Sequence, residues 1–84
     1  MNMNKNEIFI TLQQIVRDVV GDKELKIHND SELAEIEGWD STANIEILIE
    51  IESKFNIRFE SDEIATLDSM GSIINGIFLK INDK

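Results

Sequence analysis

The sequence predicts an all-α fold, a small four-helix bundle with three longer helices, one short one, and a long loop between helices one and two. Three observations carry that prediction. Apolar residues recur at helical spacing in three separate stretches, over residues 8–19, 47–55 and 70–81. The 84 residues hold no Pro, so breaks between these stretches fall to Gly, Asn, Asp and Ser. Alternating apolar residues, the mark of a strand, are confined to short pieces such as Ile57-Arg58-Phe59, for which nothing else in the chain offers a partner.

The first helix is expected over Asn6 to Val20. Ile8, Leu12, Ile15, Val16 and Val19 follow one helical face, with Asn6 as the cap and Glu7 suiting the positive helix start. Gly21 ends it. Residues 1–5, and 82–84 at the other end, are expected to fray. Residues 21–40 form a connection that is long for so small a domain, and a long loop in a compact domain points to function. Leu25, Ile27, Leu33 and Ile36 are expected to tuck under the bundle, with one helical turn over Ser31 to Ile36. His28, the single histidine, reads as a surface residue.

The second helix runs over Ser41 to Phe55. A step of about 100° per residue gathers Ile47, Leu48, Ile51 and Phe55 on a core face and sets Glu46, Glu50 and Ser53 opposite. Ile45 and Ile49 fall between. They either widen the apolar stripe or form a partner-binding edge beside the carboxylates. Asn56 is a stop, and Ile57-Arg58-Phe59 an ordered connector. Ser61-Asp62-Glu63 caps a short helix with Ile64 and Leu67 inward. Asp68-Ser69 caps the last helix, whose apolar set is Met70, Ile73, Ile74, Ile77, Phe78 and Ile81. Gly71 and Gly76 weaken it by about 1 kcal/mol each relative to Ala, and Gly76 permits close approach of a neighbour.

Composition removes several function classes. Asp and Glu total 17 against 8 Lys and Arg, a net charge of −9. Such a field repels nucleic acid and anionic membrane and attracts basic surfaces. With 42% apolar residues at regular spacing, the chain is no disordered acidic tail. No run is long enough to cross a bilayer, and the start MNMNKNEIF lacks the apolar core of an export signal, so a cytoplasmic monomer is expected. There is no Cys, and with one His no zinc signature. No EF-hand or Gly-rich phosphate loop is present. A serine nucleophile would need a base, and His28 lies thirteen residues from Ser41. The chain reads as something other proteins act on, not as a catalyst.

The informative stretch is Gly38-Trp39-Asp40-Ser41-Thr42. It closes the polar connection and places a hydroxyl at the mouth of the most regular helix, next to a carboxylate and a large aromatic ring. By itself Asp-Ser before a helix is a cap. Gly38-Trp39-Asp40-Ser41 followed by ANIEILIEIESKF, then Ile57-Arg58-Phe59, Asp62-Glu63-Ile64 and a final helix opened by Ser69, resembles the acyl carrier proteins over almost the whole chain.

The resemblance implies that a phosphopantetheinyl transferase attaches 4′-phosphopantetheine from coenzyme A to Ser41, beside Asp40, and that the carried thiol holds an acyl or aminoacyl group as a thioester. A helix N-terminus favours the phosphodiester anion. The resemblance also implies that Glu46, Glu50 and Glu52 meet basic patches on acyl-loading and acyl-accepting enzymes, and that Ile45 and Ile49 add apolar contacts; the acidic stripe of the second helix is itself expected to lie beside Ser41. Trp39 and Thr42 flank the site and belong to the same surface. Thr42 departs from the family's usual Leu, with a shorter apolar contact and an added hydroxyl. Trp39 replaces a small residue common in fatty-acid carriers. Gly-Trp-Asp-Ser looks more like stand-alone carriers of specialised pathways, unless Trp39 simply covers the loop. The competing expectation is a small acidic helical adaptor that binds a basic protein and carries nothing.

Overall fold

The computed structural model describes residues 3–82. It consists of α1 (Lys5–Val20), a 3-10 turn (Leu33–Glu35), α2 (Ser41–Phe55), α3 (Ser61–Ile64) and α4 (Met70–Asn82), with no strand among the described residues. The all-α bundle of three longer helices and one short helix is as expected. The expected fraying of Met1, Asn2, Asp83 and Lys84 lies outside the described residues.

Several boundaries differ from the expectation, each for a local reason. α1 starts at Lys5 and its cap is Asn4, not Asn6. Asn4 has a glutamate three residues on, so the two close a reciprocal box: the Glu7 amide donates to Asn4 Oδ1 at 2.8 Å and the Asn4 amide donates to Glu7 Oε1 at 3.0 Å. Asn6 has Phe9 in that place and can form no such box. The same logic moves the cap of α3 back to Glu60, whose amide donates to Glu63 Oε1 at 2.7 Å. At the other end Asn82, expected to fray, is helical, and its side-chain amide donates to the Phe78 carbonyl at 2.9 Å. Gly21 does end α1, in the left-handed region at φ 77°, with its amide donating to the Arg17 carbonyl. Asn56 ends α2 in the same region at φ 55°.

One core gathers faces of all three longer helices. Ile8, Leu12, Ile15 and Val16 come from α1, Ala43, Ile47, Ile51 and Phe55 from α2, and Met70, Ile73, Ile74, Ile77 and Ile81 from α4. Leu48, expected in the core, is half-buried at its edge, and Ala43 takes a core place instead. Ala43 lies one turn before Ile47, so it continues the inward row that Leu48 only borders. Val19 and Phe78 are likewise half-buried rather than central. Gly76 allows a close approach: a Cβ there would stand 3.2 Å from the Phe59 ring.

The long loop is fastened on both sides. Ile27, Leu33 and Ile36 are buried and Leu25 packs against the core. The Met70 amide donates to the Ser31 carbonyl at 2.9 Å, and the Leu33 amide donates to the Asp68 carbonyl at 3.1 Å. Those bonds join the loop to the start of α4 in one antiparallel bridge, Glu32 to Ser69. The middle of the loop is thereby fixed to the start of α4.

Candidate functional site

Three residues of the loop set where α2 begins. Gly38 has φ 91°, a conformation side-chain-bearing residues rarely adopt, and a Cβ there would meet the Val20 side chain at 3.1 Å. The chain can therefore turn tightly against the end of α1. Trp39 follows, its amide donating to the Ile36 carbonyl at 3.1 Å and its ring half-buried against the core. Its indole N–H donates to Asn44 Oδ1 at 3.0 Å. Asp40 is the cap: its side chain accepts the Ala43 amide at 2.8 Å, and its carbonyl accepts the Asn44 amide at 2.9 Å.

Ser41 is the first residue of α2 and is exposed. Its position is thus held from both sides, by the Asp40 cap and by the Trp39–Asn44 bond that spans it. Asn44 was not singled out from the sequence. Its signal there was the single side-chain amide of the helix, in its first turn. Helix geometry gives the amides of Ser41 and Thr42 no intrahelical acceptor, so the site combines an exposed hydroxyl with positive backbone dipoles. That combination fits an ester-linked phosphate anion on Ser41.

The predicted docking residues divide into three groups. Ile45 and Ile49 are 60% and 58% exposed, and Thr42 is exposed as well. At about 100° per residue, Ile45 is turned about 40° from Ser41 and Ile49 about 80°. These isoleucines therefore form an exposed apolar ridge next to the hydroxyl. Glu52 does something else: its carboxylate accepts the Phe59 amide at 2.8 Å, so it fastens the Ile57–Phe59 connector to α2. Glu46 and Glu50 are exposed but line a groove against α1. By the same helical step they point about 140° and 180° away from Ser41. The acidic stripe expected beside Ser41 is therefore on the far flank of α2, with the isoleucine ridge between. No group of His, Asp and Glu among the described residues is arranged to hold a metal ion. No described helix is long and apolar enough to cross a membrane.

Known proteins match this arrangement. Residues 11–77 match the family model of the phosphopantetheine attachment site. The acyl carrier protein of Exiguobacterium sibiricum is 27% identical over 75 residues, 89% of this chain and 95% of that protein. The acyl carrier protein of Guillardia theta is 28% identical over 94% of this chain and 98% of its own length. The solution structure of the holo acyl carrier protein from Geobacter metallireducens shares the fold, with a TM-score of 0.81 over 89% of this chain and 86% of that one at 21% identity. With more than half of its length matched by the family model, the chain belongs to the phosphopantetheine attachment-site family.

Proposed function

We propose that this chain is a stand-alone acyl carrier, one functional unit in which Ser41 bears 4′-phosphopantetheine. The observation that carries the reading is the exposed Ser41 hydroxyl at the first position of α2, directly after the Asp40 cap, in a member of this family. When bound, the group supplies a thiol, which a chain without Cys lacks, on a long arm that holds acyl or aminoacyl groups as thioesters. Tethering such cargo raises its effective concentration at each enzyme visited. The chain's own residues have other duties. Asp40, Trp39 and Asn44 hold the helix start in place, and the first-turn amides favour the phosphate.

A phosphopantetheinyl transferase and acyl-loading and acyl-accepting enzymes are the partners of this reading. The chain acts as a cytoplasmic monomer that carries and does not catalyse. Thr42, Ile45 and Ile49 form the face such enzymes contact when they reach Ser41. Glu46 and Glu50 supply the negative field that steers basic partners. Glu52 serves the connector first, since its carboxylate is already engaged by Phe59.

The test of carriage uses acetyl-coenzyme A and a broad-specificity phosphopantetheinyl transferase. The chain gains the mass of one acetylated arm, and neutral hydroxylamine then removes the acetyl group alone, as a thioester requires. An acidic adaptor without a prosthetic group would gain no mass, and that result ends the carrier reading.

A further inference from the structure

Ser41 sits in the first turn of α2, and helix ends are where a helix frays first. Two bonds close that turn: the Asp40 side chain accepts the Ala43 amide and the Asp40 carbonyl accepts the Asn44 amide. Both are made by Asp40, so neither fixes residue 39, which sets the direction from which the loop enters. A third bond does. The Trp39 indole N–H donates to Asn44 Oδ1 at 3.0 Å, tying the residue two before Ser41 to the residue three after it. The Trp39 end is itself anchored, since its amide donates to the carbonyl of Ile36, whose side chain is buried in the core. A path therefore runs from the core through Ile36 and Trp39 to Asn44, past Ser41 and outside the helix's own hydrogen bonds.

We infer that Asn44 is a positioning residue for the modification of Ser41, acting through Trp39. The inference rests on the carrier reading for the reaction itself. In that reaction Ser41 Oγ forms a bond to phosphorus of coenzyme A as the P–O bond to adenosine 3′,5′-bisphosphate breaks. The hydroxyl proton passes to a base of the transferase. The attacking oxygen must lie in line with the bond that breaks, and a misplacement of about 1 Å can cost about 10²-fold in rate. Asp40 holds the helix start, and the Trp39–Asn44 bond holds the direction in which the start presents Ser41. Asn44 suits that duty. An indole N–H only donates, so its partner must offer an acceptor, and an amide oxygen does so without adding charge.

The test follows transfer from coenzyme A by intact mass, using the full chain at several concentrations and a broad-specificity phosphopantetheinyl transferase. Asn44→Ala removes the acceptor, and Trp39→Phe removes the donor while keeping a ring. Both residues are half-buried, so the fold should survive, which circular dichroism checks. Each variant should lower kcat by about tenfold and move KM by less than about twofold. The double variant should be no slower than either single one, since both remove the same bond; a side chain that touched the transferase directly would add a loss of its own. Asn44→Asp keeps an acceptor and should recover most of the rate lost in Asn44→Ala. Trp39 is the single tryptophan, so the unmodified chain gives one indole N–H signal. Its exchange with solvent should quicken by at least about tenfold in Asn44→Ala and not in Asn44→Asp. The proposal is overturned if either single variant keeps the wild-type kcat, if only KM moves, if the losses multiply in the double variant, or if Asn44→Asp is as slow as Asn44→Ala. Those outcomes leave carriage at Ser41 intact. A wild-type chain that gains no mass ends the carrier reading, and this inference with it.

Discussion

The Asp40 carboxylate, 2.8 Å from the Ala43 amide, closes the first turn of α2, which makes the start of the helix independent of the Ser41 hydroxyl. In the reading proposed above, structure and chemistry are thus split between Asp40 and Ser41. Asp40→Ala should cost about 1 kcal/mol, as loss of a cap usually does, and lower Tm by about 4–8 °C in a domain of this size. Thermal melts followed at 222 nm check this, and an unchanged Tm would show that the cap does not hold the helix. The Asp40–Ser41 pair was legible because both residue types favour helix starts and a long periodic segment follows. The Trp39–Asn44 bond was not legible, because a contact between side chains five apart follows no helical repeat. Its presence favours the plainer account of Trp39 as a residue that covers and pins the end of the loop.

At the scale of elements, α3 is only four residues long and depends on its neighbours. Lys80 on α4 reaches Glu63 at 2.8 Å and also stands 5.4 Å from the centre of the Phe59 ring. The Lys80 hydrogen bond, aided by the Glu60 amide, holds the Glu63 carboxyl below its usual value of 4.5. A lowered folded value means the ionised form is favoured by folding. Its contribution is therefore complete above the ordinary carboxylate range and fades as pH falls through the lowered value. Wild type should exceed Glu63→Gln in Tm at neutral pH, and the gap should close below about pH 4.5. A gap that is constant with pH would remove the ion pair as its cause.

The three longer helices were readable from their repeats, since each buries the row that the spacing marks. Their caps were less so: Asn4 and Glu60 win because each has a Glu three residues on. The junction between the first loop and α4 was hidden, because the Ser31–Met70 and Leu33–Asp68 bonds are backbone bonds that no side-chain pattern reports. For the same reason Glu52 read as one more acid in a stripe, whereas its carboxylate serves the Phe59 amide.

For the whole molecule the dominant quantity is charge, −9 over 84 residues. Among the described residues one side-chain ion pair, Lys80–Glu63, offsets it, so most carboxylates repel one another across a domain with a radius of gyration of 11.8 Å. Moderate salt or a divalent cation should raise Tm by screening that repulsion, and a Tm insensitive to both would contradict this account. In the carrier role proposed above, this field draws basic surfaces at long range and the isoleucine ridge near Ser41 supplies short-range contact.

The central claim, that Ser41 is where this chain is modified, is tested most directly by intact mass. Wild type and Ser41→Ala are each incubated with coenzyme A and a broad-specificity phosphopantetheinyl transferase. Because Ser41 is exposed and Asp40 is the cap, the variant should keep the wild-type circular dichroism. Wild type should gain the mass of one phosphopantetheine and the folded variant none. A folded Ser41→Ala chain that still gains the group, or a wild-type chain that gains nothing, would contradict the account.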